Sequence, residues 1–153
     1  MDYEEIVYSC NCQNHKNCYL DCRDISWDRG EITEVELPIY GGFTLDDNTF
    51  ISIADFMEGS STKLIRMVLK DHYGDEVNVQ EVLANSPDIE YYDDHISCYF
   101  SVDDELSKLL ATGSYVLYVY IQNIIPSVNS KSPEKTVFNE MVTGPEGLEI
   151  IIS

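Results

Sequence analysis

The stretch from Ser114 to Gln122, SYVLYVYIQ, constrains the fold more than any other part of the chain. Its β-branched and aromatic residues are typical of a strand, and in a strand alternate side chains point to opposite faces. One face would carry Tyr115, Leu117, Val119 and Ile121, and the other Val116, Tyr118 and Tyr120. Because both sets are apolar or aromatic, the pattern predicts a central strand that is buried on both sides.

Other segments also favour strands. In residues 94–102, DHISCYFSV, large apolar side chains alternate with polar ones, which predicts a half-buried strand with Cys98 packed inside. Residues 62–79 predict a hairpin that places Ile65, Met67 and Leu69 on one face and turns at 73–75. Three more candidates are TEVELPIYGGF, KTVFNEMV and the closing GLEIIIS, which brings the count to seven or eight.

One short helix is predicted within residues 101–113, SVDDELSKLLATG. Ser101 or Asp103 would cap its start and Gly113 would stop it. One side would carry Leu106, Leu109 and Leu110. Short strands separated by turn signals, with a single small helix, predict an all-β fold, a β-sandwich of seven or eight strands.

The chain of 153 residues is the size of one domain. Its strand patterns lie within residues 32–153, which we predict to be the β-sandwich domain, whereas residues 1–31 form a separate, Cys-rich N-terminal arm. The first residues, MDYEEIVYS, lack the basic and apolar regions of a secretory signal, so we expect no export by that route. The most apolar run, residues 115–125, is shorter than the ~20 residues of a membrane-spanning helix, so we expect no membrane insertion.

Charge narrows the choice of partners. Nine basic residues against 28 acidic ones give a net charge of -19, spread over the whole chain. Such a field repels phosphates and anionic lipids, which disfavours direct binding to nucleic acid or membrane. It leaves basic protein surfaces and divalent cations as attractive partners, although most of the carboxylates are expected only to keep the protein soluble.

A cluster of cysteines in the arm raises the question of a metal. Four of the five cysteines lie within thirteen residues, with one histidine among them: Cys10, Cys12, His15, Cys18 and Cys22. Thiolate sulfur and imidazole nitrogen suit one tetrahedral Zn²⁺, but the crowded spacing matches no zinc-finger pattern. Free thiols in a segment covered by a partner are the main alternative, and disulfides are the least expected, because a protein assembled in reducing cytosol keeps its thiols free.

The sequence offers no catalytic residue. His72 and His95 have acidic neighbours, but neither a G-x-S-x-G elbow nor a phosphate-binding glycine loop is present, so we expect both to be loop or turn residues. The carboxylate pairs at 46–47, 93–94 and 103–105 lack the alternating ligand pattern of a calcium loop and fit turns or helix caps better. We therefore expect a protein that is not an enzyme.

The stretch DDHISCYFSVDDELSKLLATGSYVLYVYIQ resembles an arrangement found in immunoglobulin-like domains of tailed-bacteriophage virion proteins, such as baseplate upper proteins. The hairpin LIRMVLKDHYGDEVNV and the closing FNEMVTGPEGLEIIIS extend this resemblance over about residues 33–153. It is a likeness of pattern and leaves the Cys-rich arm uncovered. The resemblance implies a non-enzymatic building block of a virion, assembled in the host cytoplasm and docked to neighbouring subunits of a tail, neck, baseplate or capsid.

Two functional hypotheses follow. The first is this structural virion subunit, bound through its arm and loops to other virion proteins or to further copies of itself in a ring or other oligomer. The second is a small acidic inhibitor that mimics nucleic acid, favoured by charge and size. In the first, the arm offers apolar and aromatic residues to a partner. They are Tyr3, Ile6, Val7, Tyr8, Tyr19, Leu20, Ile25 and Trp27. A simpler alternative is that the arm adds an edge strand to its own sheet.

Overall fold

The computed structural model describes residues 19–20, 25–30, 33–44, 47–125, 135–143 and 146–153. These residues form twelve strands and two short helices. The strands are β1 (Tyr19–Leu20), β2 (Ile25–Trp27), β3 (Thr33–Tyr40), β4 (Gly42–Thr44), β5 (Phe50–Ser52), β6 (Lys63–Lys70), β7 (Glu76–Leu83), β8 (Glu90–Tyr91), β9 (His95–Val102), β10 (Gly113–Ile125), β11 (Lys135–Met141) and β12 (Leu148–Ile152). The helices are α1 (Ile53–Met57) and α2 (Asp104–Leu109).

The first sheet has the order β1-β3-β9-β8. Its centre is the antiparallel pair β3–β9, which stays in register over eight positions from Thr33↔Val102 to Tyr40↔His95. The strand β8 covers only two residues of β9, Ile96 and Ser97. Most of the outer edge of β9 therefore has no neighbour among the described strands.

The second sheet has the order β2-β12-β10-β6-β7, with β11 also paired to β10. The thirteen-residue β10 is its central strand: one edge pairs with β6 from Val116 to Asn123. The other edge pairs first with β12 and then with β11. The small remaining sheet, β4–β5, lies next to α1 in the chain.

Both large sheets bury one face in a single hydrophobic core. In β10 the four predicted side chains Tyr115, Leu117, Val119 and Ile121 are all buried, and Phe100 of β9 belongs to the same cluster. Two packed sheets, antiparallel except for the parallel β2–β12 pair, that share one core are a β-sandwich. The predicted all-β sandwich is thus confirmed.

Local sequence patterns placed the long strands correctly. The hairpin β6–β7 buries Ile65, Met67 and Leu69 and turns over residues 71–75, where the Asp71 carboxylate accepts bonds from the N–H groups of Tyr73 and Asp75. Cys98 is buried in β9, as predicted. The prediction that β10 is covered on both sides is only partly right, because its outward side chains Val116, Tyr118 and Tyr120 are half-buried.

The described residues form more strands and helices than the sequence predicts. Seven strands have five residues or more, matching the prediction of seven or eight, but five further strands of two or three residues were not predicted. So short a strand leaves no readable periodicity. A second helix, α1, was also missed: Ser52 caps it by accepting a bond from the Asp55 N–H.

The predicted helix, α2, differs in detail. Asp103 caps it by accepting a bond from the Leu106 N–H, as one of the two predicted caps. It ends at Leu109, so Gly113 is not its stop but the first residue of β10. Leu109 was expected on the apolar side but is 80% exposed, because the two-turn helix packs only its Leu106 and Leu110 side toward the core.

The end of the predicted arm belongs to the sandwich. Leu20 in β1 pairs with Ile39 of β3, and Trp27 in β2 pairs in parallel with Ile152 of β12. Leu20 is 2% and Trp27 is 6% exposed, and both are part of the core. The described part of residues 1–31 therefore adds edge strands to the chain's own sheets, which is the simpler of the two alternatives.

No helix within the described residues is long and apolar enough to cross a membrane.

Candidate functional site

Most predicted site residues lie outside the described ranges. The predicted zinc ligands Cys10, Cys12, His15, Cys18 and Cys22 do so, as do the predicted partner-binding residues Tyr3, Ile6, Val7 and Tyr8. The zinc site and the partner contacts of these residues stay predictions. Among the residues that the structure describes, no three potential metal ligands lie together.

For two residues, Leu20 and Trp27, the prediction that they bind a partner is wrong. Leu20 and Trp27 cannot offer their side chains to another protein, because they fill the core of the sandwich. Ile25 is half-buried against the same core. Tyr19 pairs through its backbone with Tyr40 of β3. Of the predicted partner contacts that the structure describes, Leu20 and Trp27 are therefore not available to a partner.

The outer face of the first sheet presents carboxylates beside tyrosine. In the β3–β9 pair, Glu34 lies opposite Ser101 and Glu36 opposite Tyr99, so these four side chains point away from the core. Glu90 of β8 pairs with Ser97 and joins the same face. We call Glu34, Glu36, Glu90 and Tyr99 the acidic face.

A groove of about 490 Å³ runs beside β9, where β8 stops. Glu34, Tyr99 and Ser101 form the side that belongs to the first sheet. Gln80 and Val82 of β7 and Pro87 and Asp88 of the connection to β8 also line the groove, and Glu90, the first residue of β8, lines it from the first sheet. Because β8 pairs with only two residues of β9, the rest of this edge of β9 has no partner strand among the residues that the structure describes.

The groove continues past the end of β9. A second hollow of about 330 Å³ shares Glu34 and Ser101 with the first and adds Val102 and Asp103. The charged side chains that line both hollows are Glu34, Asp88, Glu90 and Asp103. All four are carboxylates, so the site is suited to a cationic ligand.

The carboxylates of the acidic face act on Tyr99, which lies at the centre of this face and is 38% exposed. The negative charge of Glu36 raises the pKa of Tyr99, with smaller contributions from burial and from Glu90 and Glu34. Glu36 also accepts a hydrogen bond of 2.6 Å from the Ser97 hydroxyl, which fixes its carboxylate on this face. A Lys or Arg side chain placed here would be attracted to the negative charge of these carboxylates.

One side chain bridges the two sheets across the groove. The Gln80 carboxamide of β7 donates to the Tyr99 carbonyl at 3.2 Å and accepts from the Ser101 N–H at 3.2 Å. In a parallel ladder, a residue of the neighbouring strand makes the same two bonds, to residues i−1 and i+1. Gln80 thus occupies the position that a strand beside β9 would take.

An aromatic stack lies at the other end of the β3–β9 pair. The His95 ring stacks between Tyr40 at 4.9 Å and Tyr92 at 4.5 Å, measured between ring centroids. Its Nδ1 lies 2.7 Å from a carboxylate oxygen of Asp94, and this contact lowers the pKa of Asp94. His95 is the first residue of β9 rather than part of a loop, and stacking explains its orientation.

The remaining predicted loop residues lie where the sequence placed them. His72 is in the β6–β7 turn. Asp47 accepts a bond from the Thr49 N–H in a turn, and Asp103 caps α2, so both carboxylates have structural roles.

The groove was not predicted. The alternation in TEVELPIY gives the outward positions of Glu34 and Glu36, so the acidic side of the site could have been read from the sequence. The approach of Gln80 and Asp88 to β9 depends on how the two sheets pack, and no local pattern records it.

No protein-family model and no curated protein matches the chain. Among solved structures, the chain is similar to the C-terminal domain of Wzt, with 10% identity and a TM-score of 0.48 over 100% of this chain and 89% of that one. It is also similar to AggA, the major subunit of aggregative adherence fimbriae type I from Escherichia coli, with 7% identity and a TM-score of 0.32 over 92% of this chain and 100% of that one.

Proposed function

We propose that this protein is a non-enzymatic structural subunit that works by docking to other proteins in an assembly. The observation that carries the proposal is the groove beside β9, where every charged lining side chain is a carboxylate and Tyr99 is exposed. Carboxylates around an aromatic side chain suit a basic protein surface, because they attract it over a distance while the ring contributes contact area.

The assembly that we propose is the virion of a tailed bacteriophage, formed in the host cytoplasm. The resemblance of residues 33–153 to immunoglobulin-like virion domains supports this choice. The partners would be other virion proteins with basic surfaces, or further copies of the chain in a ring or other oligomer. In the arm, Tyr3, Ile6, Val7 and Tyr8 are the proposed contacts, whereas Leu20 and Trp27 are buried in the core and contact no partner.

The test is the composition of a purified particle. We expect the protein at a fixed stoichiometry in particles separated by density and washed at moderate salt. A double variant, Glu34→Gln with Glu90→Gln, should be incorporated less than a variant in which the exposed carboxylates Asp75 and Glu146 are neutralised. Absence of the protein from particles would refute the assembly role.

A second candidate function, mimicry of nucleic acid, has one observation in its favour. Glu34 and Glu36 are two residues apart on one strand, so their carboxylates repeat along one face, as phosphates do along a nucleic-acid strand. The tyrosine and serine side chains of β9 lie beside these carboxylates, so the row of negative charges is not uniform, which argues against mimicry. Displacement of duplex DNA from a DNA-binding protein of the host by micromolar protein would favour mimicry over docking in a particle.

A further inference from the structure

We infer that the groove beside β9 accepts an extended, basic segment of a partner protein as an additional strand, and that Gln80 holds the place of this strand until it binds. The inference rests on the proposed docking function and names the chemistry of the docked segment. It follows from three features: the open edge of β9, the two hydrogen bonds of Gln80, and the charge of the groove.

The open edge sets the direction of the added strand. Because Tyr99 and Ser101 point their backbone groups to the side where β8 would continue, a strand placed there can use both residues. A residue that replaced the Gln80 carboxamide would donate its N–H to the Tyr99 carbonyl and accept from the Ser101 N–H. This pair of bonds belongs to a parallel ladder, so the segment would run parallel to β9.

The exchange conserves hydrogen bonds. The Gln80 carboxamide presents one donor and one acceptor to β9, as the N–H and C=O of a single residue in a parallel strand would, so the two groups of β9 remain bonded whether Gln80 or a strand occupies the edge. While Gln80 is in place, the edge cannot pair with another chain at random, which is one way in which proteins protect edge strands. A segment therefore needs additional contacts to displace Gln80.

The negative charge of the groove and the alternation of side chains along a strand supply those contacts and define the segment. The residue that bridges to β9 lies beside Phe100 and points to the inside, near Val82, so it should be small and apolar. Its two neighbours point outward to the acidic face, where Lys or Arg would meet Glu34 and Glu90. The expected pattern is basic, apolar, basic, repeated along the segment.

Two synthetic heptapeptides of identical composition test this pattern. In one, lysine alternates with valine, starting and ending with lysine; in the other, all the lysines come first. We expect the alternating peptide to bind at least about tenfold more tightly, with the amide signals of Tyr99 and Ser101 shifted in two-dimensional NMR spectra of the full-length protein. Equal affinities would overturn the inference, because simple charge attraction does not depend on alternation.

Variants locate the binding. Neutralising Glu34 and Glu90 together should weaken the alternating peptide several-fold more than neutralising Asp75 and Glu146, which removes the same charge elsewhere. Gln80→Ala should strengthen binding of the alternating peptide and leave the clustered peptide unchanged. If Gln80→Ala has no effect on either peptide and the Ser101 amide does not shift in the unmodified protein, the strand does not add at β9.

Failure of the strand site and failure of the proposed function give different experimental results. Peptide binding at the groove by a protein that is absent from particles would retain the strand site and refute the virion role. Incorporation into particles without peptide binding would refute the strand site and retain the virion role.

Discussion

Cys98 shows how burial changes the chemistry of a single side chain. The thiol is fully buried in β9, 4.0 Å from the Leu37 carbonyl, and burial raises its pKa to about 12. Since only the thiolate is nucleophilic, a thiol held protonated in the core is unreactive. Cys98 is therefore a packing residue, as its alternation with Ile96 and Phe100 predicts.

This burial predicts a dependence of stability on pH. In the unfolded chain a cysteine thiol ionises near its usual pKa of about 8.5, but in the folded protein Cys98 stays neutral. Because the folded pKa is the higher one, the stabilising contribution is complete below about pH 8.5 and is lost as the pH rises toward about 12. The free energy of unfolding, measured by urea titration, should fall over this range and fall less in Cys98→Ala.

The same burial can be checked directly by labelling. A thiol reagent at pH 8 should leave Cys98 unmodified in the native protein and modify it in urea, as read by mass spectrometry of the Cys98 peptide. Modification of Cys98 at equal rates with and without urea would contradict its position in the core.

Leu117 is a second residue whose role is purely packing. It is fully buried at the centre of β10, opposite Leu69 of β6. Leu117→Ala should lower the free energy of unfolding by ~2–5 kcal/mol, since it removes buried apolar surface and leaves a cavity. Val79→Ala, on a side chain that is 39% exposed, is the control and should change stability by less than about 0.5 kcal/mol. Similar losses in both variants would contradict the central position of β10.

At the scale of elements, the turn before β12 depends on a glycine. Gly147 has a φ of +72°, and a Cβ there would lie 2.3 Å from Cγ1 of Val116 in β10. Gly74 in the β6–β7 turn has a φ of +90° with open space around it. Both positions disfavour L-residues, but only Gly147 also lacks room.

The pair of glycines therefore makes a matched test. Gly74→Ala should cost about 1 kcal/mol from backbone strain alone, whereas Gly147→Ala should cost clearly more, since Val116 or the turn must also move. Thermal unfolding of the two variants measures the difference. Equal melting temperatures would show that the loop before β12 adjusts freely.

The elements also show what sequence alone could give. The strands β6, β9 and β10 were predictable because their alternation is local and extends over eight residues or more. β1 and β2 were not, because two or three residues carry no period and their pairing with β3 and β12 depends on distant segments. For the same reason the acidic side of the groove could be read from β3, but its opposite wall could not.

At the scale of the whole molecule, the buried ends of the predicted arm change how its function should be tested. Leu20 and Trp27 anchor β1 and β2 in the core, and the core residues that the structure describes begin at Leu20. A deletion of residues 1–31 would remove both side chains and two edge strands. Its effects on folding and on docking could not be separated.

Two deletions of different length separate the effect on folding from the effect on docking. Removal of residues 1–31 should lower the free energy of unfolding by about 4 kcal/mol or more, because the loss of each large buried side chain costs ~2–5 kcal/mol. This loss is a large part of the total stability of a typical domain. Removal of residues 1–18 leaves β1 and β2 in the chain, so it should destabilise the protein less than the longer deletion does. Under the proposed function, the shorter deletion should nevertheless reduce incorporation into particles, because it removes Tyr3, Ile6, Val7 and Tyr8. Normal incorporation of this variant would move the docking site away from the arm and leave the groove beside β9 as the proposed contact.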